Sequence, residues 1–355
     1  LSLFNRQSSA PLLGIDISSS SIKVVELERD RAGRLTLERC ALEPLERDWI
    51  TDGNIEKFDE VAEALRRAVK KSGSRTKNAA LALPSSSVIT KRLSLPGDLS
   101  DQELEIQIES EAAQYIPFSL DEVSLDFCVI GPSKNIPGDI DVLIAASRKE
   151  KVQDREGLAE AAGLKAVIMD IESHASRLAM EHFLKELPGG RDAIVALFEL
   201  GALTTSMQVV KGDEVLYDRD QTFGGAQLTQ LIVRQYGFSP EEAETKKRND
   251  DLPEDYRSSV LKSFVESMAQ EITRALQFFF SSTPYTRVDY ILLAGGTAAI
   301  SGLASAVAEQ TGMNCKTANP FERMEIGRSV QMNKMEREAP TYLTACGLAM
   351  RRFWQ

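Results

Sequence analysis

Short apolar runs separated by small polar turn residues alternate along this chain with longer stripes of 3.6-residue period. Leu12–Ile17 and Ile22–Leu27 predict two strands joined by a serine-rich turn, and Leu35–Leu42 predicts a third. Phe58–Lys71 places Val61, Ala62, Leu65, Ala68 and Val69 on one helical stripe. Asp59 at its start and Lys70 and Lys71 at its end suit the helix dipole. Asn78–Leu83 predicts a strand ended by Pro84, and Ser87–Leu95 another, leaving through Pro96-Gly97-Asp98. Ser100 with Glu103 predicts a capping box that opens a helix through Gln114, with Pro117 as its stop. Val123–Val129 and Val142–Ser147 predict strands around a turn at Lys134–Asp141, and Lys149–Ala162 a helix closed by Gly163.

The second half begins like the first. Ile194–Leu200, a Gly-Ala-Leu-Thr turn and Thr205–Val210 repeat the strand–turn–strand plan, which sets Glu199 in the place of Asp16. Lys211-Gly212-Asp213 then turns into Glu214–Asp218. Glu241 to Phe280 reads as a long charged helical stretch. Val288–Leu293 is a strand that delivers Gly295-Gly296 to a helix starting near Ala298, and Thr341–Arg352 is the last helix. Strands and helices alternating throughout predict the α/β class.

With 355 residues, 43% of them hydrophobic, the chain can form two domains or one large bilobed one. The formal net charge of -11 repels phosphate backbones, so nucleic acid is not an expected partner, nor is an anionic membrane without help. No stretch approaches the roughly 20 apolar residues of a membrane span. Leu1 to Pro11 reads as a loose polar tail without an apolar signal segment, and the reading is cytosolic. Cys40, Cys128, Cys315 and Cys346 form no CxxC pair and are expected to be buried, inert thiols in a reducing compartment. His174 and His182 share one helix without a partner motif, so neither is assigned to a metal or a triad.

Three turns carry the candidate chemistry. A phosphate must trade its water for equal donors, which small residues and hydroxyls supply. Ser18, Ser19, Ser20 and Ser21 offer hydroxyls and N–H groups in one hairpin, with Lys23 nearby. Asp16, at the strand end, suits the hydrated Mg²⁺ of a nucleotide, and Glu199 would be its counterpart in the second half. Gly201, Ala202 and Thr204 form the second turn. Gly295, Gly296 and Thr297 follow a strand and open a helix, which lets the backbone lie against a phosphate or ribose. Gly224-Gly225, before a helix at Ala226–Arg234, is a similar candidate. Plain surface turns remain the alternative for each, since only the combination carries weight. The combination predicts two halves closing on one cleft. A Walker pattern, GxGxxG and GxSxG are all absent.

The order of strand, Asp16 and serine turn, then Glu199-Leu200-Gly201, then Gly295-Gly296 resembles the actin-like ATPase superfamily, which includes FtsA, MreB and the DnaK-type chaperones. Gly14-Ile15-Asp16-Ile17-Ser18-Ser19-Ser20-Ser21-Ile22-Lys23, Ala82-Leu83-Pro84-Ser85, Gln114-Tyr115-Ile116-Pro117-Phe118, Phe223-Gly224-Gly225, Leu293-Ala294-Gly295-Gly296 and Asn319-Pro320-Phe321 resemble, more closely, the PilM family of type IV pilus assembly proteins. The resemblance implies an actin-like (ribonuclease-H-like) two-lobed α/β fold with an FtsA-like inserted subdomain. Residues 12–76, completed by 166–188 and 340–355, would form the first lobe, and 77–165 the inserted subdomain. Residues 189–238 and 286–339 would form the second lobe, with 239–285 as its small helical subdomain.

It further implies ATP and Mg²⁺ as ligands, with Asp16 and the serines at the β- and γ-phosphates and Gly295, Gly296 and Thr297 beside the adenosine. Glu244 and Lys247 resemble the superfamily's E-x-x-K contact to ribose and adenine, a pattern that ordinary solvated helices also show. Two departures weaken hydrolysis more than binding. Ser18 stands where glycine is common, and Glu199 stands where aspartate is usual. One methylene moves a carboxylate by about 1 Å, enough to cost on the order of 10²-fold in rate. No catalytic residue is assigned, and ATPase activity is expected to be weak or absent.

The implied partners are the cytoplasmic N-terminal segment of a PilN-type membrane protein and other pilus assembly proteins, with self-association left open. The chain would then sit in the cytoplasm, at the inner membrane only through partners. Ile116, Pro117 and Phe118 are the candidate peptide groove, with packing inside the subdomain core as the alternative reading. Phe353 and Trp354 beside Arg351 and Arg352 read as a docked helix end. An FtsA-like division protein and a small-molecule kinase of the same superfamily are the alternatives.

Overall fold

Parallel strands joined by helical crossovers build the first of two compact units. A computed structural model describes residues 10–184, 188–212 and 214–353. The first unit comprises Leu1–Leu27, Ala41–Ala175 and Leu348–Gln355, and the second Glu28–Cys40 and Ser176–Gly347. The expected tail at 1–11 lies, except for its last two residues, outside the described residues, as does Trp354.

In the first unit Leu13–Ile17 pairs antiparallel with Ser21–Arg29 and parallel with Asn78–Leu83. Lys165–Ile171, a strand with no counterpart in the expectations, pairs parallel with Asn78–Leu83 from its other side. Leu13, Ile15, Ile22 and Val24 bury one face of this sheet under Val61, Leu65 and Ala68 of the Phe58–Ser72 helix and Leu158 of the Lys149–Ala161 helix. Leu12, Ala80, Ala82, Ala175 and Leu348 form a second buried cluster in the unit. The end of the chain returns to this unit. Arg351 donates from Nε and one Nη to the two Asp170 oxygens at 2.5 and 3.0 Å, and Arg352 donates to the Leu27 carbonyl at 3.1 Å.

Three antiparallel strands, Ile89–Pro96, Asp139–Arg148 and Val123–Pro132, form a separate sheet with Asp139–Arg148 in the middle. The Asp101–Tyr115 helix covers it with Leu104, Ile108 and Ala112. This layer is narrower than the 77–165 span expected for the insert, because Asn78–Leu83 and Lys165–Ile171 belong to the sheet of Leu13–Ile17. Ser100 caps the helix as its sequence predicts: its hydroxyl accepts from the Glu103 N–H, and the Glu103 carboxylate accepts from the Ser100 N–H at 2.9 Å. Ser100→Ala should cost about 1 kcal/mol, the usual value of an N-cap, read as a lower midpoint in urea denaturation.

The second unit holds a five-stranded sheet in the order Glu214–Gln221, Thr205–Lys211, Ile194–Leu200, Tyr290–Ala294, Asn314–Thr317. Ile194–Leu200 runs antiparallel to Thr205–Lys211 and parallel to Tyr290–Ala294. Phe198, Leu200, Met207 and Val209 pack with Phe264, Met268, Ile272 and Phe279 of the Lys262–Ser282 helix. The helical stretch expected over 241–280 consists of two helices. Pro240–Asn249 ends at Asp250, whose φ of 54° is left-handed, and the chain resumes helical geometry only at Tyr256. Pro253 lies in the gap, where its missing N–H and its constraint on the preceding residue oppose a continuous helix. The helix expected near Ala298 begins at Leu303, after a 3₁₀ turn over Gly296–Ala299.

Candidate functional site

The strand pairing of the first unit sets Asp16 directly opposite Lys23. Their side chains form a 3.0 Å ion pair, 9% and 6% exposed. Lys23 also donates to the Ser18 hydroxyl at 2.6 Å, and Ser18 in turn bonds the Ser21 carbonyl through its N–H and its hydroxyl, both at 3.1 Å. Ser21 is buried, while Ser18, Ser19 and Ser20 are half-buried. The Ser20 carbonyl accepts from the Leu45 N–H at 2.9 Å, which ties the turn to the body of the unit. The structure therefore assembles Asp16, Lys23 and the serines as one preorganised turn.

The second unit brings its own three candidate turns together, backbone against backbone. The Gly201 carbonyl accepts from the Gly225 N–H at 3.0 Å and from the Thr297 hydroxyl at 2.9 Å. The Ala202 carbonyl accepts from the Ala226 N–H at 2.8 Å, and Gly201 N–H donates to Thr204 at 3.0 Å. Glycine is required by these approaches. A Cβ on Gly224 would stand 2.6 Å from the Ala202 oxygen, and one on Gly295 would stand 2.5 Å from the Leu200 oxygen with φ at +86°. Gly296 is open, with nothing within 4 Å of such an atom.

Glu199 and Ala294 end neighbouring parallel strands in register, beside these turns. The Glu199 carboxylate accepts from the Thr344 hydroxyl at 3.1 Å. Glu244 and Lys247 pair at 2.5 Å, and both meet the Thr229 hydroxyl at 2.7 Å on the Ala226–Tyr236 helix, which Gly225 opens. Burial works against the Glu244 charge, yet Lys247, Thr229 and Arg248 hold its carboxyl below the ordinary glutamate range.

The expected peptide groove is different in kind. Ile116 is 6% exposed and packs in the core with Leu104, Ile108 and Val142. Phe118 packs against that core and carries the Arg148 guanidinium over its ring at 4.3 Å. Pro117 alone of the three is exposed. The alternating pattern around a proline stop could not separate an apolar cap that faces inward from one that faces a partner. Three thiols are withdrawn from water, and burial pushes Cys40 up to about 11, Cys315 up to about 12 and Cys346 further up. Cys128 is exposed, unlike the expectation of four buried thiols.

Among the described residues no cluster of three or more His, Cys, Asp or Glu is placed to hold a metal, and no helix is long and apolar enough to cross a membrane. A hydrated Mg²⁺ needs only one or two protein carboxylates beside the phosphates it accompanies, and Asp16, at the end of its strand beside the serine turn, is a carboxylate of that kind.

A model of the family described as type IV pilus assembly protein PilM matches residues 14–353. The chain belongs to the PilM family. A solved structure described as a PilM–PilN type IV pilus biogenesis complex is similar over 98% of this chain and 100% of that one, with 26% identity and a TM-score of 0.79. The ethanolamine utilization protein EutJ from Carboxydothermus hydrogenoformans shares the fold at 17% identity, with a TM-score of 0.55 over 95% of this chain and 88% of that one. A nucleotide-free diol dehydratase-reactivating factor does so at 11% identity and a TM-score of 0.54, over 96% of this chain and 99% of that one. The PilM fold is thus the actin-like α/β fold expected from the sequence, and the chain is a type IV pilus assembly protein. Membership in the PilM family decides against the division-protein and small-molecule-kinase alternatives.

Proposed function

We propose that this PilM-family chain is an ATP-binding scaffold that takes the N-terminal segment of a PilN-type membrane protein. The match over 98% of the chain to a PilM–PilN complex is the observation that carries the partner. Two features support the nucleotide. In the first unit, the Asp16 turn offers hydroxyls, a lysine and a carboxylate in one fixed array, where Asp16 would hold the hydrated Mg²⁺. In the second, Gly201, Gly224, Gly225 and Gly295 let three turns pack backbone to backbone, and half-buried Gly201 and Gly295 with exposed Gly296 are the part that phosphate and ribose would meet. Glu244 and Lys247, fixed by Thr229, are the candidate ribose and adenine contacts. ATP would act by preferring one conformation of the scaffold, and its leverage on partner binding equals that preference.

The test is calorimetry on the full chain with Mg²⁺-ATP and with a synthetic PilN-type N-terminal peptide. ATP is expected to bind at micromolar level, Asp16→Asn to weaken it by tenfold or more, and the peptide to bind in a saturable 1:1 complex. Equal ATP affinity in the two proteins removes the Asp16 assignment. A peptide that shows no heat at hundreds of micromolar removes the partner.

A further inference from the structure

The Lys149–Ala161 helix carries a group that neither the turn assignment nor the partner assignment uses. Arg155 is 2% exposed. Its Nη2 donates to the Gly53 carbonyl at 3.3 Å, while its Nη1, also buried, has no hydrogen-bond partner among the described residues. A guanidinium carries five donors in a fixed fork, and burying one unmet is costly. Burial pulls its pKa down, opposed by the carboxylates of Glu172, Asp16 and Asp154. One donor direction is left without an acceptor among the described residues.

The position is informative. Leu13–Ile17, Asn78–Leu83 and Lys165–Ile171 are parallel, so their carboxyl ends lie at one edge of the sheet. Asp16 stands at the first of these ends, Pro84 follows the second and Glu172 follows the third. Open α/β sheets take their ligands outside the carboxyl ends of the strands. Arg155 reaches that edge through Gly53, whose turn packs on Pro84. It is also anchored there. Lys151, one helical turn earlier, donates to Asn54 Oδ1 at 2.7 Å, so the same helix face grips the Gly53-Asn54 turn twice. Gly53 has φ at +77°, and a Cβ on it would stand 2.7 Å from Pro84 Cγ, which presses that turn onto the end of Asn78–Leu83. One arm of the fork is thus fixed to backbone, and the other has no partner among the described residues.

We infer that Arg155 is an anion-binding residue of the first unit, its Nη1 taking an oxygen of the terminal phosphate of a nucleotide seated at the Asp16 turn. The identity of the ligand rests on the nucleotide assignment above. A charge-assisted bond to phosphate is among the strongest single contacts, and a guanidinium suits it better than an ammonium.

Calorimetry on the full chain with Mg²⁺-ATP, Mg²⁺-ADP and tripolyphosphate tests this, using Arg155→Met, Arg155→Lys and Asp16→Asn, with far-UV circular dichroism to confirm folding. Arg155→Met should weaken ATP by roughly tenfold or more and ADP by less than about twofold. An ATP-to-ADP affinity ratio equal to that of the unaltered protein overturns the inference and leaves Arg155 a structural residue. Where Arg155→Met fails to fold, Arg155→Lys decides: it keeps the charge but loses the fork, so the same ratio should still fall, and an unchanged ratio overturns the inference. Loss of ATP in Asp16→Asn with none in Arg155→Met sinks this inference alone. An unaltered protein that binds neither ATP nor tripolyphosphate sinks the nucleotide assignment as well.

Discussion

Lys23→Met is expected to destabilise the protein by about 3–5 kcal/mol, the usual cost of leaving one member of a buried ion pair uncompensated. The pair is nearly dry, and its geometry is close, with 3.0 Å between Lys23 and Asp16 and 2.6 Å from Lys23 to the Ser18 hydroxyl. Methionine fills the volume but abandons the Asp16 carboxylate among apolar strands. The double variant Asp16→Asn/Lys23→Met should recover most of the loss, because a buried pair replaced whole by neutral groups is often near neutral. Urea denaturation of the two single variants and the double variant closes the thermodynamic cycle. A Lys23→Met protein within 1 kcal/mol of the original would mean that water reaches Asp16 freely and that the pair is a surface ornament. The pair's value then lies in presenting the carboxylate and the serine turn in one orientation before any ligand arrives.

Adjacent glycines in the second unit should behave in opposite ways. Gly295→Ala is expected to cost on the order of 3 kcal/mol, since it combines a left-handed backbone with a Cβ driven to 2.5 Å from the Leu200 carbonyl oxygen. That oxygen belongs to a strand end and cannot retreat as a flexible side chain would. Gly296→Ala should stay within about 0.5 kcal/mol, because its new methyl meets nothing within 4 Å. Thermal and urea midpoints of the two variants, measured side by side, separate them. Equal losses at both positions would mean that the pair of glycines serves loop flexibility and that the close approach to Leu200 is incidental.

The contrast between these glycines shows where the chain was readable and where it was not. Gly295-Gly296 after an apolar strand was visible as a turn, but only three-dimensional packing says which glycine is irreplaceable. The Asp16–serine hairpin and its echo at Glu199 were visible because antiparallel strands flank them and local turn chemistry dominates there. The Ser100 capping box was equally local. Lys165–Ile171 escaped because its half-buried positions break clean alternation, with Val167 pointing outward at 44% exposure. The break at Asp250 and Pro253 was written in the residues and was overridden by the strong charged periodicity on either side. Arg155 was invisible in principle: an arginine in a charged helix usually faces water, and only the turn of residues 52–54 and the strand ends bury it. For Ile116 the sequence left a groove and the core both open, since one apolar residue at a helix end does not announce which way it points, and the packing places it in the core.

The return of Leu348, Arg351 and Arg352 to the first unit has a consequence for biosynthesis. A ribosome delivers the three-stranded layer over 89–148 as an uninterrupted, antiparallel segment that can close while translation continues. The sheet begun by Leu13–Ile17 must wait much longer, first for Lys165–Ile171 and finally for the C-terminal residues that supply Leu348 to its second buried cluster and Arg351 to Asp170. One buried cluster of that sheet stays incomplete until residues 348–351 have been made, so a part of the chain made early is among the last to be shielded from proteases.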